Sequence, residues 1–170
     1  MNTNERREAV LDQLRDREGP VSATALAREF DVSRQVIVGD IALLRAGGEA
    51  ILSTPRGYLI QKESGGILRT VACRHEADGL GPELFIMVDN GCTVVDVAVE
   101  HPVYGQLSGQ LQISSRYDVE EFLRKVKEEG AKPLSLLTGG IHLHTLRCPD
   151  EAAFLRVRAE LVRAGFLVRE

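Results

Sequence analysis

Only three residues, Asp31-Val32-Ser33, separate two stretches of helical periodicity. Two helices joined by so short a turn form a helix-turn-helix. Ser22 can cap the helix before the turn, with Ala23, Leu26, Ala27 and Phe30 on one face. Ser33 can cap the helix after it, with Val36, Ile37, Ile41 and Leu44 at helical spacing and a stop at Gly47-Gly48. An earlier helix, capped by Asn4, carries Val10, Leu11 and Leu14 and ends at Gly19-Pro20. Residues 51–60 then read as two β-prone runs around Thr54-Pro55-Arg56-Gly57. Three helices followed by such a hairpin make a winged helix-turn-helix.

A helix of this kind reads DNA by laying its N-terminal residues against base edges in the major groove. Arg34 and Gln35 stand there and can bond guanine and adenine bidentately. Ser33 can donate to a phosphate, and Arg56 at the tip of the wing can reach phosphate or the minor groove. Val38 can touch a thymine methyl and Gly39 can admit close approach of the DNA, or both can simply pack.

The joint Lys62-Glu63-Ser64-Gly65-Gly66 is polar and glycine-containing. It divides the chain into a DNA-binding domain over residues 1–62 and a second domain over 67–170. The first carries nine basic and nine acidic residues, so the whole net charge of −4 falls in the second. A chain of that charge does not coat nucleic acid through bulk attraction. The second part alternates strands and helices. Strands are expected at 67–74, 93–100, 107–114, 141–146 and 166–168. Helices are expected from Pro82 to Val88, from an Asp118 cap to Glu129, and from an Asp150 cap to Arg163. In the 93–100 strand, Val94, Asp96 and Ala98 should face one way and Val95, Val97 and Val99 the other. The fold class expected is α+β: a winged helix-turn-helix followed by an α/β sandwich, with an antiparallel or mixed sheet under helices.

All four histidines lie in the second part. His142 and His144, two apart in a strand, project from one face. That is a way to place two imidazoles on one metal, or two polar side chains on a half-buried strand. A fold that neighbours the right strands can add His75 and Glu83. Three imidazoles and a carboxylate suit zinc, nickel, cobalt or iron rather than calcium or magnesium. His101, Tyr104 and Gly105 share one turn and offer a wall for a small ligand, or an ordinary connection. Cys73, Cys92 and Cys148 form no CxxC pair and read as packed thiols in a reducing compartment. With no apolar signal core in residues 1–7 and no long apolar run, the expectation is a cytoplasmic protein without a membrane partner.

The run from Ser33 to Arg45 followed by Arg56-Gly57-Tyr58 resembles the winged helix that precedes a 3H domain. The segments Cys73-Arg74-His75, Val99 to Gly105 and Gly139 to His144 resemble the landmarks of that domain, named for its three histidines. The resemblance covers essentially the whole chain. It implies a niacin-responsive transcriptional repressor of NAD biosynthesis or niacin uptake genes. It further implies one divalent ion per chain, nickel or zinc, on His75, Glu83, His142 and His144. Nicotinic acid as co-repressor and a homodimer on a palindromic operator follow from the same likeness. Two alternatives stand beside it: a regulator for which the metal itself is the signal, and a metalloenzyme using three histidines and a glutamate.

Overall fold

The structure, a computed structural model, describes residues 1–169. It divides into two compact units, Met1–Glu63 and Ser64–Glu170.

The first unit begins with α1 (Thr3–Asp16). Its cap is Asn2, not Asn4. Glu5 stands three residues beyond Asn2, so side chain and backbone of the pair bond reciprocally and satisfy two orphan amides. Asn4 lies inside the helix and bonds Arg7. Ser22 caps α2 (Ala23–Glu29) and Ser33 caps α3 (Arg34–Ala46), each accepting from an amide three residues on. Val10, Leu14, Leu26, Ile37 and Ile41 are almost fully buried and form the centre of this unit's core. Val36, expected inside, is exposed, because its position on α3 turns it away from α1 and α2. Arg6 of α1 grips the buried carboxylate of Asp40 with two bonds of 2.7 and 3.2 Å, fixing α3 against α1.

Strands β1 (Ile51–Thr54) and β2 (Gly57–Ile60) form the hairpin. Val21 adds a third, one-residue rung by exchanging two backbone bonds with Tyr58. A Cβ on Gly57 would lie 2.3 Å from the Val21 carbonyl oxygen, and its φ is +133°, so only glycine fits there.

The second unit is a four-stranded antiparallel sheet in the order β3-β6-β4-β5. The strands are β3 (Ile67–Arg74), β4 (Thr93–His101), β5 (Gly105–Ile113) and β6 (Ile141–Cys148). Helices α4 (Leu80–Asp89), α5 (Arg116–Glu128) and α6 (Glu151–Ala164) supply Leu84, Met87, Val119, Val157 and Leu161 to one core against Val71, Val94, Ile113 and Leu146 of the sheet. A short 3-10 turn, Leu134–Thr138, leads through Gly139-Gly140 into β6.

Three local expectations change. The cap of α5 is Ser115; Asp118 sits in the first turn and accepts from the Ser114 amide instead. Residues 166–168 make a single bridge, Leu167 to Cys73, on the edge of β3 rather than a strand. The even alternation of β4 is broken by a bulge between Val94 and Asp96. Val94 pairs Leu146 and Val97 pairs His144, so two residues three apart share the core face. Among the described residues, no helix is long and apolar enough to cross a membrane.

Candidate metal centre

Glu83 is fully buried in the first turn of α4. A lone carboxylate there would be costly, and three imidazoles meet it. His75, just past β3, lies with Nε2 2.7 Å from Glu83 Oε2. His142 Nε2 is 2.9 Å from Oε1, and His144 Nε2 is 3.3 Å from Oε2. The two β6 histidines face the core from the central part of the sheet and are 2% and 1% exposed. The rings stand edge to face, with centroids 4.8 Å apart for His75 and His142 and 5.0 Å for His142 and His144. The four residues that the sequence left scattered are thus one cluster.

The outer nitrogen of each ring fixes its tautomer. His75 Nδ1 donates to the Glu76 carbonyl at 2.7 Å, His142 Nδ1 to Gly140 at 2.8 Å and His144 Nδ1 to Asp96 at 2.7 Å. A carbonyl oxygen can only accept, so each Nδ1 carries a proton. In the neutral ring, Nε2 therefore presents a lone pair, and all three lone pairs point at one carboxylate. Electron-rich atoms approach that closely only around a shared positive charge, either protons on the rings or a cation among them. Outer hydrogen bonds of this kind orient the histidines of metal sites. The donor set fits a borderline divalent transition ion, with too many nitrogens for calcium or magnesium.

The ionisation pattern follows the same geometry. Burial would push the Glu83 carboxyl up, but the bonds from His142, His144 and His75 outweigh it and hold it far below the usual carboxylate range. Burial likewise works against charge on His75 and His144, and their bonds to Glu83 raise both above an ordinary imidazole.

Several contributors were not legible in advance. Gly79 leaves room for His75: a Cβ there would lie 2.5 Å from its ring. Gly140, at φ +93°, passes so close to the His75 backbone that a Cβ would meet its carbonyl oxygen at 2.6 Å. Asp96 offers its carbonyl to His144 and its carboxylate to the Thr145 amide at 3.0 Å. Cys73, expected as a plain packed thiol, is packed but also close: its sulfur, a Glu83 oxygen and a His142 nitrogen all lie within 4.8 Å of one another. Burial and Glu83 push its thiol far up. Only the glycines gave any signal, as small residues flanking a chemistry-bearing strand or helix.

His101, Tyr104 and Gly105 lie together in the β4–β5 turn. There His101 Nδ1 accepts from the amides of Val103 and Tyr104 at 3.1 and 3.2 Å. The Tyr104 ring leans on that imidazole and is largely exposed. No hydrogen bond among the described residues joins this turn to the Glu83 cluster.

On the first unit, Ser33, Arg34 and Gln35 are exposed at the start of α3. The Ser33 hydroxyl accepts from Val36 as the cap and keeps its own proton to donate. Val38 is half-buried, while Gly39 lies on the open side with nothing within 4 Å of where a Cβ would stand. Arg56 is half-buried on the hairpin turn, its amide bonded to Thr54 Oγ1.

Residues 68–170 match the 3H domain family, and residues 6–59 match an HTH domain family. The chain is 43% identical over 166 residues to the "Probable transcription repressor NiaR" of Thermotoga maritima, covering 98% of this chain and 95% of that one. It is 39% identical over 169 residues to the "Transcription repressor NadR" of Bacillus subtilis, covering 97% and 94%.

Proposed function

The chain belongs to the 3H-domain family of helix-turn-helix transcription repressors, and from that footing we propose that it represses genes of NAD biosynthesis or niacin uptake, with nicotinic acid as co-repressor at a metal site. A regulator rather than an enzyme is what its relatives are, which answers the metalloenzyme alternative.

In this reading, His75, Glu83, His142 and His144 hold one divalent ion per chain, nickel or zinc. The observation that carries it is the convergence of three Nε2 atoms, each fixed by an Nδ1–H bond to a backbone carbonyl, on the buried Glu83. When bound, the ion supplies positive charge and a coordination position suited to a pyridine carboxylate. His101 lies on the same face of β4 as Val97, the partner of His144, at the end nearest the turn. In this reading His101, Tyr104 and Gly105 line the outer side of an effector site. The chain acts as a homodimer, since two recognition helices on a palindromic operator double the contacts of one. Ser33, Arg34, Gln35, Val38 and Arg56 supply the DNA contacts of residues 1–62, while residues 67–170 hold metal, effector and dimer contacts.

A second reading has one observation in its favour. The turn that carries His101 makes its own internal bonds, and of the four donors Glu83, His142 and His144 are buried. A cluster so enclosed can sense the ion alone. The deciding measurement is operator binding by the metal-loaded protein across a panel of pyridine carboxylates, beside a metal titration without them. Tighter binding with nicotinate supports the co-repressor reading. A response to metal alone, unchanged by any pyridine, supports the metal sensor.

A further inference from the structure

We propose that Cys73 is a fifth protein donor of this centre and sets its preference among metals. The proposal rests on the metal reading above.

Cys73 is on β3 directly opposite His142 of β6, and it faces the core with no exposed surface. The alternation of β3 aims Val71 and Cys73 inward while Ala72 and Arg74 face out. Val71 opposes His144, so the face that carries the two β6 histidines continues on β3 as Val71 and Cys73. Of those two inward positions, the one next to His142 is a thiol whose sulfur stands within 4.8 Å of both a Glu83 oxygen and a His142 nitrogen. The same strand end also delivers His75, whose Nε2 is 2.7 Å from Glu83 Oε2. Cys73 and His75 thus both reach one carboxylate from a single strand end.

For packing alone, an alanine or valine serves at such a position as well as cysteine. A thiol beside a carboxylate and three imidazoles adds one soft donor to a set of borderline and hard ones. Soft sulfur favours zinc, cobalt or copper(I) over manganese or magnesium. Coordination breaks the S–H bond and forms a sulfur–metal bond, and the proton leaves to solvent with no change of oxidation state. Cys92 and Cys148 are not alternatives, since their sulfurs lie 2.8 Å from each other at a separate point of the core.

The test uses the full chain loaded with cobalt(II), with metal content and near-ultraviolet absorption read on the same sample. The expected result is one cobalt per chain and a sulfur-to-cobalt charge-transfer band. That band disappears in Cys73→Ser, while zinc affinity drops by about tenfold or more relative to manganese. It persists in the Cys92→Ser, Cys148→Ser double variant, where Cys73 is the only sulfur of the cysteine type left. Should Cys73→Ser fail to fold, the double variant decides: band present supports the assignment, band absent overturns it. Bound cobalt without the band leaves the four-residue centre standing and removes Cys73 from it. A band that survives Cys73→Ser also overturns the proposal. No bound cobalt at all overturns both readings.

Discussion

The Nδ1 of His144 donates to the main-chain oxygen of Asp96 across 2.7 Å, and Asp96 follows directly on the bulge at Val95. In a regular antiparallel ladder that carbonyl belongs to a neighbouring strand. Next to the inserted residue this carbonyl accepts from a side chain, and the bond aims the imidazole at Glu83. A defect in sheet pairing thus supplies the orientation of one histidine.

The pH response follows from which groups hold protons. Without metal, His75 and His144 bind protons more tightly in the folded protein than in the unfolded chain, despite the opposing effect of burial. Raised values give stability that is full below about pH 6.5 and lost as pH rises through the folded-state values. Glu83, held low, contributes uniformly above the ordinary carboxylate range. Chelator-treated protein should therefore lose Tm as pH climbs above about 6.5. Zinc- or nickel-loaded protein should gain on the same path, because the ligands must be neutral imidazoles. Thermal melts with and without metal check this; a metal-induced rise in Tm that ignores pH contradicts it.

Gly79→Ala should weaken metal binding by about 10–100-fold. Its φ of −77° suits any residue, so the backbone tolerates the change. The new Cβ falls 2.5 Å from the His75 ring and must displace it. Chelator competition gives the affinity, with Gly39→Ala, in the other unit, as control. Unchanged affinity in Gly79→Ala means that His75 is not a ligand.

Gly39→Ala should do two opposite things. A mid-helix alanine stabilises by about 1 kcal/mol relative to glycine, and nothing stands in the way of the methyl group. If DNA approaches the α3 backbone there, the same methyl weakens operator binding. Tm and operator Kd measured on one preparation separate the effects. A stability gain with unaltered Kd places residue 39 away from the DNA.

Arg34→Ala should cost operator binding about 1–3 kcal/mol and relax specificity at one base pair. Arg34 is exposed at the first position of α3. Titrations on operator and on random DNA make the check. Equal losses on both mean a phosphate contact and no base reading.

Periodicity and caps made most of the fold legible. Ser22, Ser33 and Asp150 cap the helices they were expected to cap, because a short oxygen-bearing side chain before an apolar-periodic run has few other uses. Asn2 and Ser115 were missed because each competes with a nearby Asn or Asp that meets the same local rule. His142 and His144 were legible as a pair from their spacing alone. Their meeting with Glu83 depends on pairings 59 and 61 residues apart, which no local pattern encodes. The Val95 bulge was invisible because Val94, Val95 and Val97 are the same residue, so alternation cannot show where a register slips. Cys73 was invisible as a neighbour of the centre for the opposite reason. Buried thiols are common, and only the partner strand shows what one faces.

The long span between Glu83 and the β6 histidines has a consequence for how the second unit folds. An ion shared by those residues is a removable cross-link that closes a loop of about 60 residues. By the entropy lost to an unfolded chain so tied, closure alone is worth roughly 4 kcal/mol. Formed late, after the sheet has assembled, such a tie slows unfolding more than it speeds folding. On the proposed metal reading, metal supply then sets how long each molecule survives before it unfolds.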